Sequence, residues 1–261
     1  MKDKEKLIRY FEASGSGDEA RRMIDLAEQV EKGRPYRITD FTSPAGIVMA
    51  DAVKANAGGM HVEYSGGYEG AERIRIAFVD DQFAGTVDFS IVALKVSWDP
   101  RFRLLTHRDV LGSVMGLGIE REQIGDIMML AGGAQLLVTA NMASFIKENF
   151  KKIAMVGVEV EDLDLDSIMP KEEKIKEIRT TVASMRLDAV ASSGFSTSRT
   201  KLVEAVNAGL LQVNWKPAKS PSQEVKEGDI ISMRGRGRMV VESITGTSRK
   251  GRIGLYLKRF M

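Results

Sequence analysis

The chain contains no cysteine. That excludes disulfides, zinc fingers and thiol catalysis, and makes a reducing compartment the natural setting. It has only two histidines and no carboxylate pair in a recognisable acid–base frame, so catalysis is poorly supplied. No apolar run reaches the roughly 18 residues that a membrane span needs. The start, Met1-Lys2-Asp3-Lys4-Glu5-Lys6, has no apolar signal core and carries acidic residues that transit peptides avoid. A cytoplasmic protein without a membrane span is expected.

Nucleotide and metal motifs are missing as well. Gly66-Gly67-Tyr68-Glu69-Gly70 lacks the Gly-Lys-Ser/Thr ending of a phosphate loop. His107-Arg108-Asp109 imitates a kinase catalytic loop, but Val114 stands where an asparagine belongs, and no kinase glycine-rich loop precedes it. Asp162, Asp164 and Asp166, with Glu173 further on, imitate a calcium loop. Ser167 replaces its glycine, and Leu163 and Leu165 alternate as in a strand, so a solvated acidic strand end is the better reading. No cofactor and no metal is expected.

What is present is an uneven distribution of charge. The net charge is +2. From Arg179 onward there are 15 Lys/Arg against 6 Asp/Glu, a net of +9, which leaves −7 for the rest. A basic C-terminal module of this kind attracts polyanions and gains affinity by counterion release. An acidic lipid surface would suit the same charge, but no Lys/Arg-faced helix with bulky aromatics supports it.

At 261 residues the chain suits two or three domains. Apolar spacing predicts helices over 3–13 and 18–31, broken at Ser14-Gly15-Ser16-Gly17, with Asp18 capping the second. A helix over 45–57 and strands over 60–64 and 74–79 follow. Arg73 and Arg75 alternate with Ile74 and Ile76, so both belong to one strand face, either an RNA contact or an ordinary solvated face. Next come a strand (89–98), a helix (107–117), a strand pair (126–139) turning at Gly132-Gly133, a helix (142–153) and a strand (157–165). This β-α-β-β-α-β order is the ferredoxin-like pattern, which serves many RNA-binding domains and many unrelated functions. Thr106 is the expected cap of the 107–117 helix, with His107 and Arg108 facing RNA or binding the local backbone. A polar linker over 166–177, around Pro170, leads to the basic module.

Ser184 is the expected cap of a helix from Met185 to Ser193, ending at Gly194. Thr197 is the expected cap of a second helix ending at Gly209. On its wheel Leu202, Val203, Val206 and Leu210 form an apolar stripe. Arg199 shares that side, so pairing with Asp188 is favoured over an RNA contact, because an arginine in an apolar stripe needs a bonded anion. Lys201 falls opposite, free to meet phosphate or simply solvated. Arg186 starts the first helix, where a cation opposes the helix dipole. Trp215 covers the core rim or stacks on a base. Arg234-Gly235-Arg236-Gly237-Arg238 lies between apolar Ile230-Ile231 and Met239-Val240-Val241, which favours a hairpin presenting arginines over a disordered tail.

Arg186-Leu187-Asp188, Gly194-Phe195, Ser198-Arg199, Lys201, Gly209, Val213-Asn214 and Gly228-Asp229 together resemble the S4 domain, an RNA-binding module named after a small-subunit ribosomal protein. Gly66 to Arg73, His107 to Gly112, Gly125-Asp126-Ile127, Thr181 to Asp188 and Val213-Asn214-Trp215 resemble YlmH-type proteins. That family includes the photosystem-II-associated S4 proteins. The resemblance covers essentially the whole chain and is weakest in the first 35 residues.

The fold class is then α+β, with an N-terminal α/β domain (1–85), a ferredoxin-like (βαββαβ) middle domain (86–168) and a C-terminal S4-type RNA-binding domain (180–261). The resemblance implies a non-catalytic factor that binds structured rRNA, with tRNA as a second partner, on the ribosome. Its expected target is the large subunit carrying obstructed peptidyl-tRNA, as in ribosome quality control. The candidate RNA contacts are Arg186, Arg199, Lys201, Asn214, Lys216, Arg234, Arg236 and Arg238, with Arg73, His107 and Arg108 upstream. One alternative is an RNA-modifying enzyme, since pseudouridine synthases and tyrosyl-tRNA synthetases carry the same module. Another is an interaction factor in cell division or photosystem assembly.

Overall fold

The computed structural model describes residues 3–12, 15–101, 104–169 and 175–260. The chain divides into two compact units, 1–171 and 172–261. Ser14, Pro170 and Glu173, named above in a break, a linker and a calcium-loop imitation, lie outside the described residues.

The first unit opens with α1 (Lys4–Glu12), which buries Leu7 and Phe11. In α2 (Gly17–Glu31) the buried Ala20, Met23, Ile24, Ala27 and Val30 recur at helical spacing and form one apolar stripe. Its N-cap is Ser16, with no side-chain bond; Asp18, expected as the cap, instead pairs with Arg21 at 2.8 Å. The chain continues through β1 (Tyr36–Ile38), α3 (Ala45–Ala55), β2 (Met60–Ser65) and β3 (Arg75–Asp80). The strands form an antiparallel sheet ordered β1-β3-β2.

The same unit continues with β4 (Ile91–Ser97), α4 (His107–Met115), β5 (Ile124–Leu130), β6 (Gly133–Thr139) and α5 (Ala140–Asn149). Then come β7 (Lys152–Ile153), β8 (Val156–Gly157) and β9 (Glu159–Leu163). The helix expected to reach residue 153 stops at Asn149, because Lys152-Ile153 pair with Val156-Gly157 instead. The four main strands are antiparallel in the order β5-β6-β4-β9, the ferredoxin-like arrangement. β6 is buried along its whole length, so both sheet faces are covered at its centre. One face packs Leu94, Val96, Leu136 and Val138 against Val110 and Val114 of α4 and Ile146 of α5. The other packs Ala93, Met128 and Leu137 with Phe41, Tyr68 and Ile168.

The second unit begins with β10 (Ile175–Val182), so residues 175–177 are strand and not linker. It continues with α6 (Leu187–Gly194), α7 (Arg199–Asn207), β11 (Leu211–Val213), β12 (Lys216–Pro217), β13 (Ile230–Met233), β14 (Gly237–Thr247) and β15 (Ile253–Phe260). The sheet order is β10-β15-β14-β13-β11-β12, and every pairing is antiparallel. Leu187, Val190, Phe195, Leu202 and Val206 pack on Ile231, Met239, Val241, Leu255 and Leu257 of the sheet. Ala205, not Leu210, completes the α7 stripe; Leu210 lies past the helix and is exposed.

A Cβ on Gly194 would sit 2.0 Å from Met239 Sδ. The Met239 side chain of β14 therefore fills the space that glycine leaves on α6. The helix caps also differ from expectation. Ser198, not Thr197, caps α7 by accepting from the Lys201 amide. Ser184 does not cap α6. The Leu187 and Asp188 amides donate instead to the carbonyls of Gln223 (2.8 Å) and Pro221 (2.9 Å), which satisfies two of the orphan donors of the first turn.

Candidate nucleic-acid interface

The second unit carries a fork of two arginines over one buried carboxylate. Asp188, in the first turn of α6, is 4% exposed. Its Oδ2 accepts from Arg199 Nη2 at 2.8 Å and from Arg186 Nη2 at 3.0 Å, and its Oδ1 accepts from Arg186 Nε at 3.2 Å. The pairing with Arg199 expected from the wheel is present; the second partner, Arg186, is an addition. Burial pushes the Asp188 carboxyl up, but the bonds from Arg186 and Arg199 outweigh it and hold the group below its ordinary value. The bond to Asp188 raises the Arg186 guanidinium. Both arginine side chains stay about half exposed, at 46% and 55%. Each guanidinium therefore uses one or two of its five N–H groups on Asp188 and turns others to solvent. Two planar donors held in place match the geometry that receives a phosphate.

Around the fork, Lys201 is exposed on α7, and Lys216 is exposed on β12. Arg234 and Arg236 occupy the exposed turn between β13 and β14, so the arginine run is a hairpin tip. Arg236 Nη1 reaches the Phe195 carbonyl at 3.4 Å, beside the C-terminus of α6, where a cation suits the helix dipole. Arg238 stacks over Phe260 at 4.8 Å.

Asn214 has a different job. It and Trp215 adopt positive φ (+49° and +64°) in the turn between β11 and β12. The Asn214 Nδ2 donates to Asp229 Oδ1 at 2.8 Å, and its Oδ1 accepts from the Ile230 amide at 2.9 Å. Asn214 thus ties that turn to the Gly228-Asp229 turn. Trp215 is half-buried.

In the first unit the geometry is reversed. Arg73, expected on a solvated or RNA-facing strand face, points inward. It donates to the carbonyls of Phe41 (2.7 Å), Ile124 (2.8 Å) and Arg121 (3.2 Å). Arg75 does the same with Thr39 (2.9 Å), Phe89 (2.6 Å) and Ser90 (3.1 Å). Burial lowers the pKa of both guanidiniums. Arg121 beside them falls to about 10, through burial and then the charge of Arg73. Arg73 is therefore a tether between segments, with three carbonyls from two chain stretches as its ligands. Asp126 completes the tether, accepting from the Tyr68 hydroxyl (2.8 Å) and from the amides of Glu72 (2.7 Å) and Arg73 (3.1 Å).

His107 and Arg108 are exposed in the first turn of α4. Thr106 caps that helix as expected, and Asp109 closes a capping box with it. The kinase-like triplet is thus a helix start. The ferredoxin-like sheet does not offer the open face on which RRM-type domains stack bases, because Phe41, Tyr68 and Ile168 cover it.

Three family profiles match the chain in series. They are "YlmH, N-terminal" over residues 16–83, "Putative RNA-binding domain in YlmH" over 85–167 and "S4 domain" over 185–231. A Bacillus subtilis protein named "Ribosome-associated protein quality control protein P2" is 35% identical over 222 residues, covering 85% of this chain and 86% of that one. The chain belongs to the YlmH family.

More locally, small ribosomal subunit protein uS4 of Citrifermentans bemidjiense is 38% identical over 74 residues, 27% of this chain and 36% of that protein. A solved Streptococcus pneumoniae structure described as "Cell division protein ylmH" is 26% identical, with a TM-score of 0.49, covering 59% of this chain and 92% of that one. For this YlmH-family chain, several of the motif residues that carried the resemblance prove to be fold-forming. Gly194 admits Met239, Asn214 joins two turns, and Asp126 anchors the Tyr68–Arg73 loop. The arginine fork, Lys201, His107 and Arg108 are basic or titratable motif residues left exposed.

The sequence reading missed a further basic group, Arg249, Lys250 and Arg252 at the β14–β15 turn. Its signal was present, since Gly246 precedes it, Gly251 interrupts it and no acidic residue follows Glu242. No helix of the described residues is long and apolar enough to cross a membrane.

Proposed function

We propose that this chain is a non-catalytic RNA-binding factor of ribosome quality control, acting in the cytoplasm on large subunits that carry obstructed peptidyl-tRNA. The observation that carries the reading is the Asp188 fork, a buried carboxylate that holds two half-exposed arginines on a unit of net positive charge. Such a surface meets rRNA and tRNA through phosphates and shape, as structured RNA requires. The name of the B. subtilis relative supplies the ribosomal setting. In the proposed division into 1–85, 86–168 and 180–261, the last part makes the main contact. Its contacts are Arg186, Arg199, Lys201, Lys216, Arg234, Arg236 and Arg238. His107 and Arg108, exposed at the start of α4, add a second, weaker contact. Arg73 and Asn214 serve the fold.

Co-sedimentation tests the reading. The full chain should pellet with large subunits bearing peptidyl-tRNA, less with vacant ones and least with small subunits, and salt should release it steeply. Equal recovery with both subunits would overturn the ribosomal part. No new modified nucleoside should arise in rRNA or tRNA incubated with the protein and methyl or nucleotide donors. One that does arise would restore the modifying-enzyme alternative.

A further inference from the structure

The S4 match ends at residue 231, and an exposed basic element of the second unit lies beyond it. β14 has eleven residues, while its neighbour β13 has four. Pairing with β13 stops at Ile230↔Val240, so beyond Val241 β14 pairs only with β15, out to Thr247↔Ile253. Two register breaks, between Val241/Ser243 and Ile244/Gly246, bend this arm. Residues 244–252 are all exposed.

The tip is a built turn. The Ser248 amide donates to the Arg252 carbonyl at 2.8 Å, the Gly251 amide to the Ser248 carbonyl at 2.9 Å, and the Arg252 amide to Ser248 Oγ at 3.1 Å. Arg252 then ties the turn to β10, donating to Thr181 Oγ1 at 2.9 Å and to the Thr181 carbonyl at 2.5 Å. Arg249 and Lys250 are left projecting from a braced tip. No acidic residue occurs from 243 to 261.

We infer that this tip is a second phosphate contact, in which Arg249 and Lys250 grip the backbone of the same structured RNA that the fork meets. Thr181, which anchors the tip, precedes Arg186 by five residues. The anchor and the fork are therefore at most about 18 Å apart along the chain. Double-stranded RNA binders commonly take hold of one duplex at successive positions, by shape and phosphates. A protein strand adding to the outer edge of β14 is the poorer occupant. The register breaks disturb that edge, and Glu227 already accepts the Ile244 amide.

The inference rests on the RNA-binding reading above, and its test separates the two. Full-length wild type and the Arg249→Gln/Lys250→Gln variant are titrated against in-vitro-transcribed large-subunit rRNA between 50 and 200 mM salt. Parallel titrations use vesicles containing phosphatidylserine. Losing two phosphate contacts should make the slope of log affinity against log salt shallower by about 1.8, with an unchanged melting temperature. Wild-type binding with the same slope and affinity in the variant would overturn this inference alone. An effect confined to the vesicles would overturn it in favour of a lipid surface. No RNA binding by the wild type would remove both readings together.

Discussion

Arg73 and Arg75 in the first unit reach six carbonyl contacts between them, from segments near Thr39, Phe89 and Ile124. Arg186 and Arg199 in the second unit share a single carboxylate and keep about half their surface in water. The same side chain thus closes a fold in one region and offers a surface in the other. The difference lies in what satisfies the guanidinium. Backbone carbonyls that surround it take three bonds from each guanidinium and hold it inward. A carboxylate behind it fixes its orientation, neutralises one charge of two and leaves donors in front. A basic motif in a sequence is therefore not yet a nucleic-acid site; the partner that fills its inner side decides.

The largest break in this comparison should come from Arg73→Met. Ile124 keeps a donor in Arg121, and the Arg121 carbonyl keeps the Ile124 amide, but the Phe41 carbonyl loses its bond from Arg73. An unsatisfied buried group costs roughly 1–3 kcal/mol, so the first unit should lose about that much in denaturant unfolding. RNA affinity of the folded protein should hold. Weakened RNA binding with unchanged stability would place Arg73 on the interface after all.

A smaller effect separates Arg199 from Lys201. Arg199→Ala should destabilise the second unit by about 1 kcal/mol, because Arg186 still pairs Asp188 and the removed partner is half exposed. Lys201→Ala, at an exposed position, should stay within about 0.5 kcal/mol of wild type. Both should weaken RNA binding. Equal losses of stability would refute the division between brace and contact.

The smallest effects are in pH dependence, and they have opposite signs in the two units. Asp188 has a folded pKa below its unfolded value, so its contribution is fully present above about 3.9 and is lost as pH falls through the folded value. Asp188→Asn should remove that acid-side loss. His61 is raised, first by its bond to Asp81 at 3.0 Å, opposed by burial and helped by Glu63. Its contribution is complete below about 6.5 and disappears as pH rises through the folded value. Stability measured from pH 3 to 8 in Asp188→Asn and His61→Gln should show these two windows change separately.

Much of this was legible in the sequence for local reasons. The ferredoxin-like order follows from period and turn signals, and the Asp188–Arg199 pair follows from one helix wheel. The role of Arg73 was not legible. Alternation with Ile74 shows only that it leaves the strand on one side, and the carbonyls waiting there come from chain segments more than 30 residues away. Arg186 escaped as a partner of Asp188 because its side chain turns back over the helix it precedes, which no wheel displays. The caps slipped by one or two residues where Ser and Thr adjoin, as at Thr197 and Ser198. The strand β15 and its arm were missed because their apolar positions, Leu255 and Leu257, follow a loop of Gly, Ser and basic residues that resembles an unpaired tail.

We propose a division in which outward-facing cations of the second unit bind RNA through phosphates, while inward-facing arginines of the first unit do not. It is tested most directly by the salt dependence of binding to large-subunit rRNA for the full chain and for Arg186→Gln/Arg199→Gln/Lys201→Gln. Three lost phosphate contacts should make the slope shallower by about 2.7, whereas Arg73→Met should leave the wild-type slope in place. An unchanged slope in the triple variant, or a shallower one in Arg73→Met, would contradict the account.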